Sequence, residues 1–444
     1  MGLALSCSGS ETSPTDKPQA AEKPDIVLVV VDTLRADHLG VYGHTRPTSP
    51  NIDQLASEGL WFSRAYAQSG WTLASFSSLL TGLLPHQHCV GRDMKDATRF
   101  GSLPEEITTL AEALSAEGYA TAAVMNNTFL APAFNLDQGF GDDYLWQGAH
   151  NDSHRTAAET VALGTAWLDK QDRPAFLLLH MMEPHLDYSA PTPQRGTFLP
   201  DPPFPMPLAD PRVLLQAGTH ALTPEFVDAV KAVYDEEILA ADAAVGTLRA
   251  TLAVRDRPTW TILTADHGEE FWDHGGFEHG HSLYSELTRV PLIVSGPELK
   301  TRGEVTGVVQ HLDLFQMLLH LGGATPPPQT GGTDLLALAR DGIPADRAVV
   351  NDNVLYGPPQ ISLVTRQHRL IIDQHTGTGA VWAIDAQGTE SVRLQGKLQI
   401  DRARSMMPLL EELRGDMKPC TPHNETRIPD FETFDQLRSL GYIE

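Results

Sequence analysis

Residues 264–284 read TADHGEEFWDHGGFEHGHSLY, and this stretch is crowded with groups that ligate metals or move protons: Asp266, His267, Glu269, Glu270, Asp273, His274, Glu278, His279 and His281. Adjacent Asp266 and His267 offer one hard oxygen and one borderline nitrogen donor, and the glycines after them let the backbone turn closely around an ion. The same stretch also reads as a solvated acidic loop with scattered histidines. Two other positions could join the chemistry. Asp32 ends the apolar run Asp25–Val31, which is where open α/β sheets place their sites, although Asp also caps turns. Thr72 opens a helix that Gly82 closes. A hydroxyl there is an ordinary cap, or a nucleophile favoured by the free N–H groups and the helix dipole.

The elements that must position these groups alternate between strand and helix. DIVLVVV at 25–31 and TWTIL at 259–263 are β-branched, continuous runs of the kind buried on both faces of a sheet. Ser49-Pro50 opens a helix through Glu58, and Gly59 stops it. Residues 60–67, 119–125, 175–180 and 290–294 read as strands, and 107–117, 155–168, 224–252 and 311–321 as helices. The proline-rich stretch from Ser189 to Pro211 is too long for a plain connection and reads as a loop over the site. A Pro/Gly cluster at 325–332 marks a boundary, beyond which short strands at 348–351, 361–365, 370–373 and 381–384 suggest a small antiparallel sheet. The division is therefore 1–24 as a leader or linker, 25–324 as the catalytic domain and 325–444 as a C-terminal subdomain.

Composition narrows the partners. The chain has 444 residues and a formal charge of −25, which argues against nucleic acid and repels anions at long range. A site for an anionic substrate then needs local positive charge, which a metal ion supplies. Three cysteines, Cys7, Cys89 and Cys420, are too few for a disulfide framework. Cys89 and Cys420 could pair, or both could be free thiols. There is no apolar run of 18 residues. MGLALSC followed by a Ser/Thr/Pro-rich linker resembles the end of a lipoprotein signal with Cys7 lipidated. That predicts export to the periplasm or cell envelope and a membrane tether through Cys7, a cytoplasmic location being the alternative.

With these pieces in order, the chain resembles the sulfatase family of the alkaline phosphatase superfamily. The likeness runs through VVVDTLRADHLGVYG at 29–43, SPNIDQLASEG at 49–59, SFSSLLTGLLPHQH at 75–88, MEPHLDY at 182–188, YDEEILAADAAVG at 234–246, TADHGEE at 264–270 and HSLYSELTRVPLIVSGP at 281–297. It implies an α/β fold, an α/β/α sandwich with a smaller C-terminal antiparallel-sheet subdomain. It also implies that Asp32, Asp266 and His267 bind one divalent metal ion (Mn, Zn or Ca). By the same resemblance Thr72 is the nucleophile, His185 serves the leaving group and His279 holds the anion.

The departures shape the functional expectation. Where formylglycine sulfatases carry C/S-x-P-x-R, this chain has Thr72-Leu73-Ala74-Ser75-Phe76, and threonine cannot become the aldehyde hydrate, so no formylglycine is expected. Thr33 replaces a second acid. Asn126 and Thr128 stand where arylsulfatases place a Lys and a His on the sulfate, which makes them the substrate-binding candidates of a less positive pocket. Glu269 and Asp273 are expected to orient the histidines, Arg35 and Asp37 to form an ion pair, and His274 and His281 are further ligand candidates. Asn127 either lines the cleft or is a turn residue. The expected activity is metal-dependent hydrolysis of phosphate or sulfate esters, on a small-molecule or glycan/lipid substrate, through threonine. A phosphoryl head-group transferase and a catalytically silent binding protein are the alternatives.

Overall fold

The computed structural model describes residues 23–92, 99–148, 155–297 and 299–415. The expectations for Cys7, Cys420 and the leader fall outside them. Six strands come first: β1 (Asp25–Val31), β2 (Leu60–Tyr66), β3 (Ala120–Met125), β4 (Tyr144–Trp146), β5 (Ala175–Met181) and β6 (Thr259–Ala265). A short hairpin, β7 (Glu270–Phe271) and β8 (Phe277–Glu278), precedes β9 (Arg289–Val290), β10 (Leu292–Ser295) and β11 (Gly303–Gln310). The main sheet has the order β11-β2-β10-β6-β1-β5-β3-β4, with β9 beside β2. Strands β4, β3, β5, β1 and β6 are all parallel, and β10 runs against β6 and β2. The apolar run 26–31 of β1 follows from its central place: both neighbours are parallel strands, and every residue of β1 is buried.

Helices cover both faces. The 29-residue helix Pro224–Leu252 packs on Pro50–Glu58 and Ala157–Leu168, while Thr72–Thr81 packs on His311–Gly322. Gly82 ends the helix Thr72–Thr81 at φ 67°, and a Cβ there would lie 2.4 Å from the Phe315 ring, so both conformation and space require glycine. Ser49 does not cap its helix by side chain, contrary to the simplest reading. Its hydroxyl bonds Gly40 N and Asp53 instead.

The second sheet is antiparallel and five-stranded: β12 (Ala348–Asp352), β13 (Gln360–Thr365), β14 (His368–Asp373), β15 (Gly379–Ile384) and β16 (Glu390–Arg393), in that order. Strands β4, β7, β8, β11 and β16 escape the sequence pattern. The sheet is not independent of the larger unit. Fully buried Arg369 on β14 sits 2.5 Å from Glu390 and donates to Thr288 Oγ1 at 3.0 Å, with Tyr66 beneath its guanidinium. Cys89 is disulfide-bonded, which decides against a free thiol at that position.

Candidate active site

The carboxyl ends of β3, β5, β1 and β6 lie side by side, and each delivers a polar group into one buried pocket. β1 delivers Asp32, whose amide bonds Met181 O at 2.9 Å and so locks it to the end of β5. The next residue, Thr33, takes the left-handed conformation (φ 56°), and the Tyr234 hydroxyl holds this turn by donating to Thr33 O at 2.8 Å and accepting from Arg35 N at 3.0 Å. β6 delivers Asp266 and His267. Gly268 follows because the Glu286 carbonyl passes 2.0 Å from where a Cβ would be, so close packing, rather than a turn around an ion, requires the glycine. Thr72 comes from the first turn of its helix, and the Ser75 hydroxyl ties that turn to Asp266 O at 2.5 Å.

These groups meet. Thr72 Oγ1 lies 3.2 Å from His267 Nε2, which is 3.6 Å from Asp32 Oδ1 and 3.4 Å from Asp266 Oδ2. All four residues are essentially inaccessible to water. His267 Nδ1 faces Gly268 O at 2.9 Å, and a carbonyl only accepts, so Nδ1 holds the proton and Nε2 turns its lone pair to the cluster. Asp32 Oδ1 and Asp266 Oδ2 have no hydrogen-bond partner among the described residues. Two buried carboxylate oxygens without donors and one imidazole lone pair that faces only the Thr72 hydroxyl suit a divalent cation, and the ligand atoms of Asp32, Asp266 and His267 lie within 4.8 Å of one another.

Electrostatics agree. Burial and the charge of Asp32 push the Asp266 carboxyl well up, whereas burial of Asp32 is outweighed by His185, His180 and His267, which hold it well below the usual range. Burial holds His267 down, and it holds His279 down further with the help of His267 and His185. His185 is raised: its burial is overcome by Asp32 and Glu269.

The histidines form a row. The rings of His267 and His279 are 4.5 Å apart, and those of His279 and His185 5.1 Å. Glu269 Oε1 lies 3.0 Å from His279 Nδ1, and Glu269 Oε2 accepts from Tyr188 at 3.1 Å, so Glu269 does orient a histidine. Burial raises that carboxyl to about 7. His185 Nδ1 donates to Leu186 O at 2.5 Å, which fixes the orientation of the ring.

Other candidates lie elsewhere. Asp273 pairs with Arg35 at 2.8 Å and not with a histidine, while the Arg35–Asp37 pair forms as read. His274 stacks on Tyr284 and bonds Glu286, and His281 bonds Glu270, so neither joins the cluster. Asn126 is turned inward: its amide donates to Thr160 Oγ1 and His180 O, and its Oδ1 accepts from Arg155. Thr128 is buried at the start of the 3-10 turn Thr128–Leu130. The asparagine that reaches the cluster is Asn127, whose Nδ2 donates to Asp32 Oδ2 at 2.7 Å. Sequence reasoning missed His180. It sits on β5 with Nε2 3.3 Å from Asp32 Oδ2 and neither ring nitrogen hydrogen-bonded among the described residues, and its place in an otherwise apolar strand gives no signal by itself.

Comparison with known proteins places the chain. A family model described as Sulfatase matches residues 24–324. Arylsulfatase A of Bos taurus is 36% identical over 136 residues, 31% of this chain, and the match spans only a quarter (25%) of that protein's length. The delta 4,5-hexuronate-2-O-sulfatase of Bacteroides thetaiotaomicron is 25% identical over 391 residues, covering 77% of this chain and 75% of the relative. Among solved structures, the phosphonate monoester hydrolase of Agrobacterium radiobacter superposes with a TM-score of 0.67 at 19% identity, over 89% of this chain and 96% of that one. The alkaline phosphatase-like fold expected from the sequence is the fold observed.

Proposed function

This chain belongs to the sulfatase family, and from that premise we propose that it hydrolyses sulfate or phosphate esters through Thr72. The observation that carries the reading is the Thr72 hydroxyl 3.2 Å from His267 Nε2, beside two unpartnered carboxylate oxygens. A divalent ion of the Mn, Zn or Ca class held by Asp32, Asp266 and His267 supplies Lewis-acid stabilisation of the ester and lowers the pKa of the hydroxyl.

Thr72 Oγ1 attacks the sulfur or phosphorus in line with the leaving oxygen and forms a threonine ester; its proton passes to a water that enters with the substrate and returns to Oγ1 when the ester is cleaved. The helix start behind it adds N–H groups that favour the developing charge. His185, fixed through Nδ1, offers Nε2–H to the leaving-group oxygen, and once neutral takes a proton from the water that cleaves the threonine ester. His279, held by Glu269, which Tyr188 holds in turn, contacts a non-bridging oxygen in this reading. Thr128 remains a substrate-side candidate, whereas the inward amide of Asn126 fits a supporting role under β5. No formylglycine enters this scheme, because a threonine side chain occupies the nucleophile position. The names of the relatives favour a sulfated sugar or a phosphonate monoester as substrate. The disulfide at Cys89 supports the export reading, since disulfides persist in oxidising compartments.

The test is a panel of aryl sulfate, phosphate monoester, phosphate diester and phosphonate monoester substrates with Mn, Zn, Ca and Mg, run beside Thr72→Ala. Turnover by the wild type and at least a ~10³-fold loss in Thr72→Ala is expected, as for removal of a nucleophile. Equal turnover by the variant, or none by the wild type with any metal, overturns the reading.

A further inference from the structure

Among the described residues, one further cluster of metal-competent side chains lies apart from this site. The loop after Asp32 carries His38, His44 and Arg46, and all three converge on Asp235, a fully buried carboxylate on the helix Pro224–Leu252. His38 Nδ1 is 2.6 Å from Asp235 Oδ1, His44 Nε2 is 3.0 Å from Oδ2, and Arg46 Nη1 donates to Oδ2 at 2.8 Å. The two imidazoles face each other with centroids 4.8 Å apart and planes 25° from parallel. Tyr234 and Phe271 wall His38 in. Tyr234 also separates the cluster from the Asp32 pocket, since its hydroxyl bonds Thr33 and Arg35 on the other side.

We propose that His38, His44 and Asp235 bind a second divalent ion, of the late first-row class that Zn2+ typifies. Two imidazoles and one carboxylate are a donor set suited to that class, and their ligand atoms lie within 4.8 Å of one another. Tetrahedral bonds of ~2.1 Å put ligand atoms roughly 3.4 Å apart. The His44–Asp235 separation is already near that value. His38 and Asp235 must open by about 1 Å, as a hydrogen-bonded pair does when an ion replaces its proton. Arg46 is the competing cation. It has somewhere to go, because Nη2 already bonds Asp228, an exposed carboxylate, at 2.6 Å. Access is from the His44 side, which is partly exposed. An ion here would fasten the loop that begins at the Asp32 turn to the longest helix of the fold, away from the reacting groups.

Co2+ titration of the metal-stripped protein, followed by visible absorption and calorimetry, tests this. The wild type should take up two equivalents, with tetrahedral d–d bands from the second. His44→Ala and His44→Gln, at a partly exposed position, should each lose one equivalent while the Thr72 turnover assay is unchanged. Arg46→Met should bind that equivalent about tenfold more tightly, the gain expected when one charge-assisted contact no longer competes. Asp266→Asn should remove only the other equivalent, so failure at the active site is read separately. A single equivalent in both the wild type and Arg46→Met, or two equivalents that His44→Ala leaves intact, overturns the proposal.

Discussion

Replacing Asn127 with alanine removes one hydrogen bond from Asp32 and one from the turn that follows β3, and the two losses can be measured separately. Asn127 Nδ2 donates to Asp32 Oδ2 at 2.7 Å, while its Oδ1 accepts from Phe129 N at 2.9 Å and caps the 3-10 turn. A buried hydrogen bond to a charged carboxylate contributes about 1.5–3 kcal/mol. At about 1.4 kcal/mol per decade, its loss should weaken a cation held by Asp32 by roughly 10- to 150-fold. Loss of a group that orients a metal ligand commonly costs ~10- to 100-fold, within the same span. The lost cap should cost about 1 kcal/mol of stability, which for a domain of this size lowers Tm by ~1–2 °C. Calorimetric titration with Mn2+ gives the first quantity, and scanning calorimetry in chelator gives the second. A Kd within twofold of wild type, with Tm lowered, would refute the placing of Asp32 in the metal shell.

Two further predictions concern groups outside the reacting cluster. His281 is largely buried, which works against its charge, but Glu270 at 2.7 Å overrides this and raises it, and Glu270 is lowered in return. A raised His stabilises fully below its unfolded value near 6.5 and loses this as pH climbs through the folded value; a lowered Glu stabilises above about 4.3 and loses this on acidification. His281→Ala should therefore lower Tm more at pH 5.5 than at pH 8.5, and an equal drop at both would rule the pair out as a pH-dependent contributor. Arg369→Leu leaves Glu390 buried without its partner and should cost about 3–5 kcal/mol in denaturant unfolding, the typical penalty for breaking a buried pair. A cost below about 1 kcal/mol would mean that water reaches Glu390.

The sequence made the positions of Asp32, Thr72, Asp266 and His267 legible because each sits at an element boundary that local chemistry marks: the end of a β-branched run or the glycine-closed start of a helix. Asn126 and Asn127 show where that legibility stops. Successive residues leaving a strand point to opposite faces, so only one of two adjacent asparagines can reach the pocket. Which one does depends on the register of β3 against β5, where Ala123 lies opposite Leu178 and Val124 opposite Leu179. Nothing in the two asparagines themselves carries that information. Asp273 was assigned to the histidines because it is close to them in sequence, but Arg35, distant in sequence, holds it. His180 was hidden because a histidine inside an apolar strand carries no signal until its neighbour's end is known to be a carboxylate.

The boundary at 325 marks a real change in sequence pattern, yet the chain beyond it supports the site directly. Asn353, just past β12, accepts from the Trp71 indole at 3.0 Å through Oδ1 and from Ser69 at 2.7 Å through its carbonyl, so it holds the turn that ends at Thr72. Leu355 N and Tyr356 N both donate to Gly280 O, at 2.6 and 2.9 Å, and Gly280 N donates to Gly70 O at 2.9 Å. A loop of the five-stranded unit thus fixes the residues immediately before Thr72 and immediately after His279 to each other. Neither Thr72 nor His279 is placed by the main sheet alone, since β2 ends at Tyr66, and His279 follows β8, which pairs only with β7 in a separate hairpin. The smaller sheet, locked to the larger unit by buried Arg369, sets the distance between Thr72, the proposed nucleophile, and His279, the imidazole proposed for the anion.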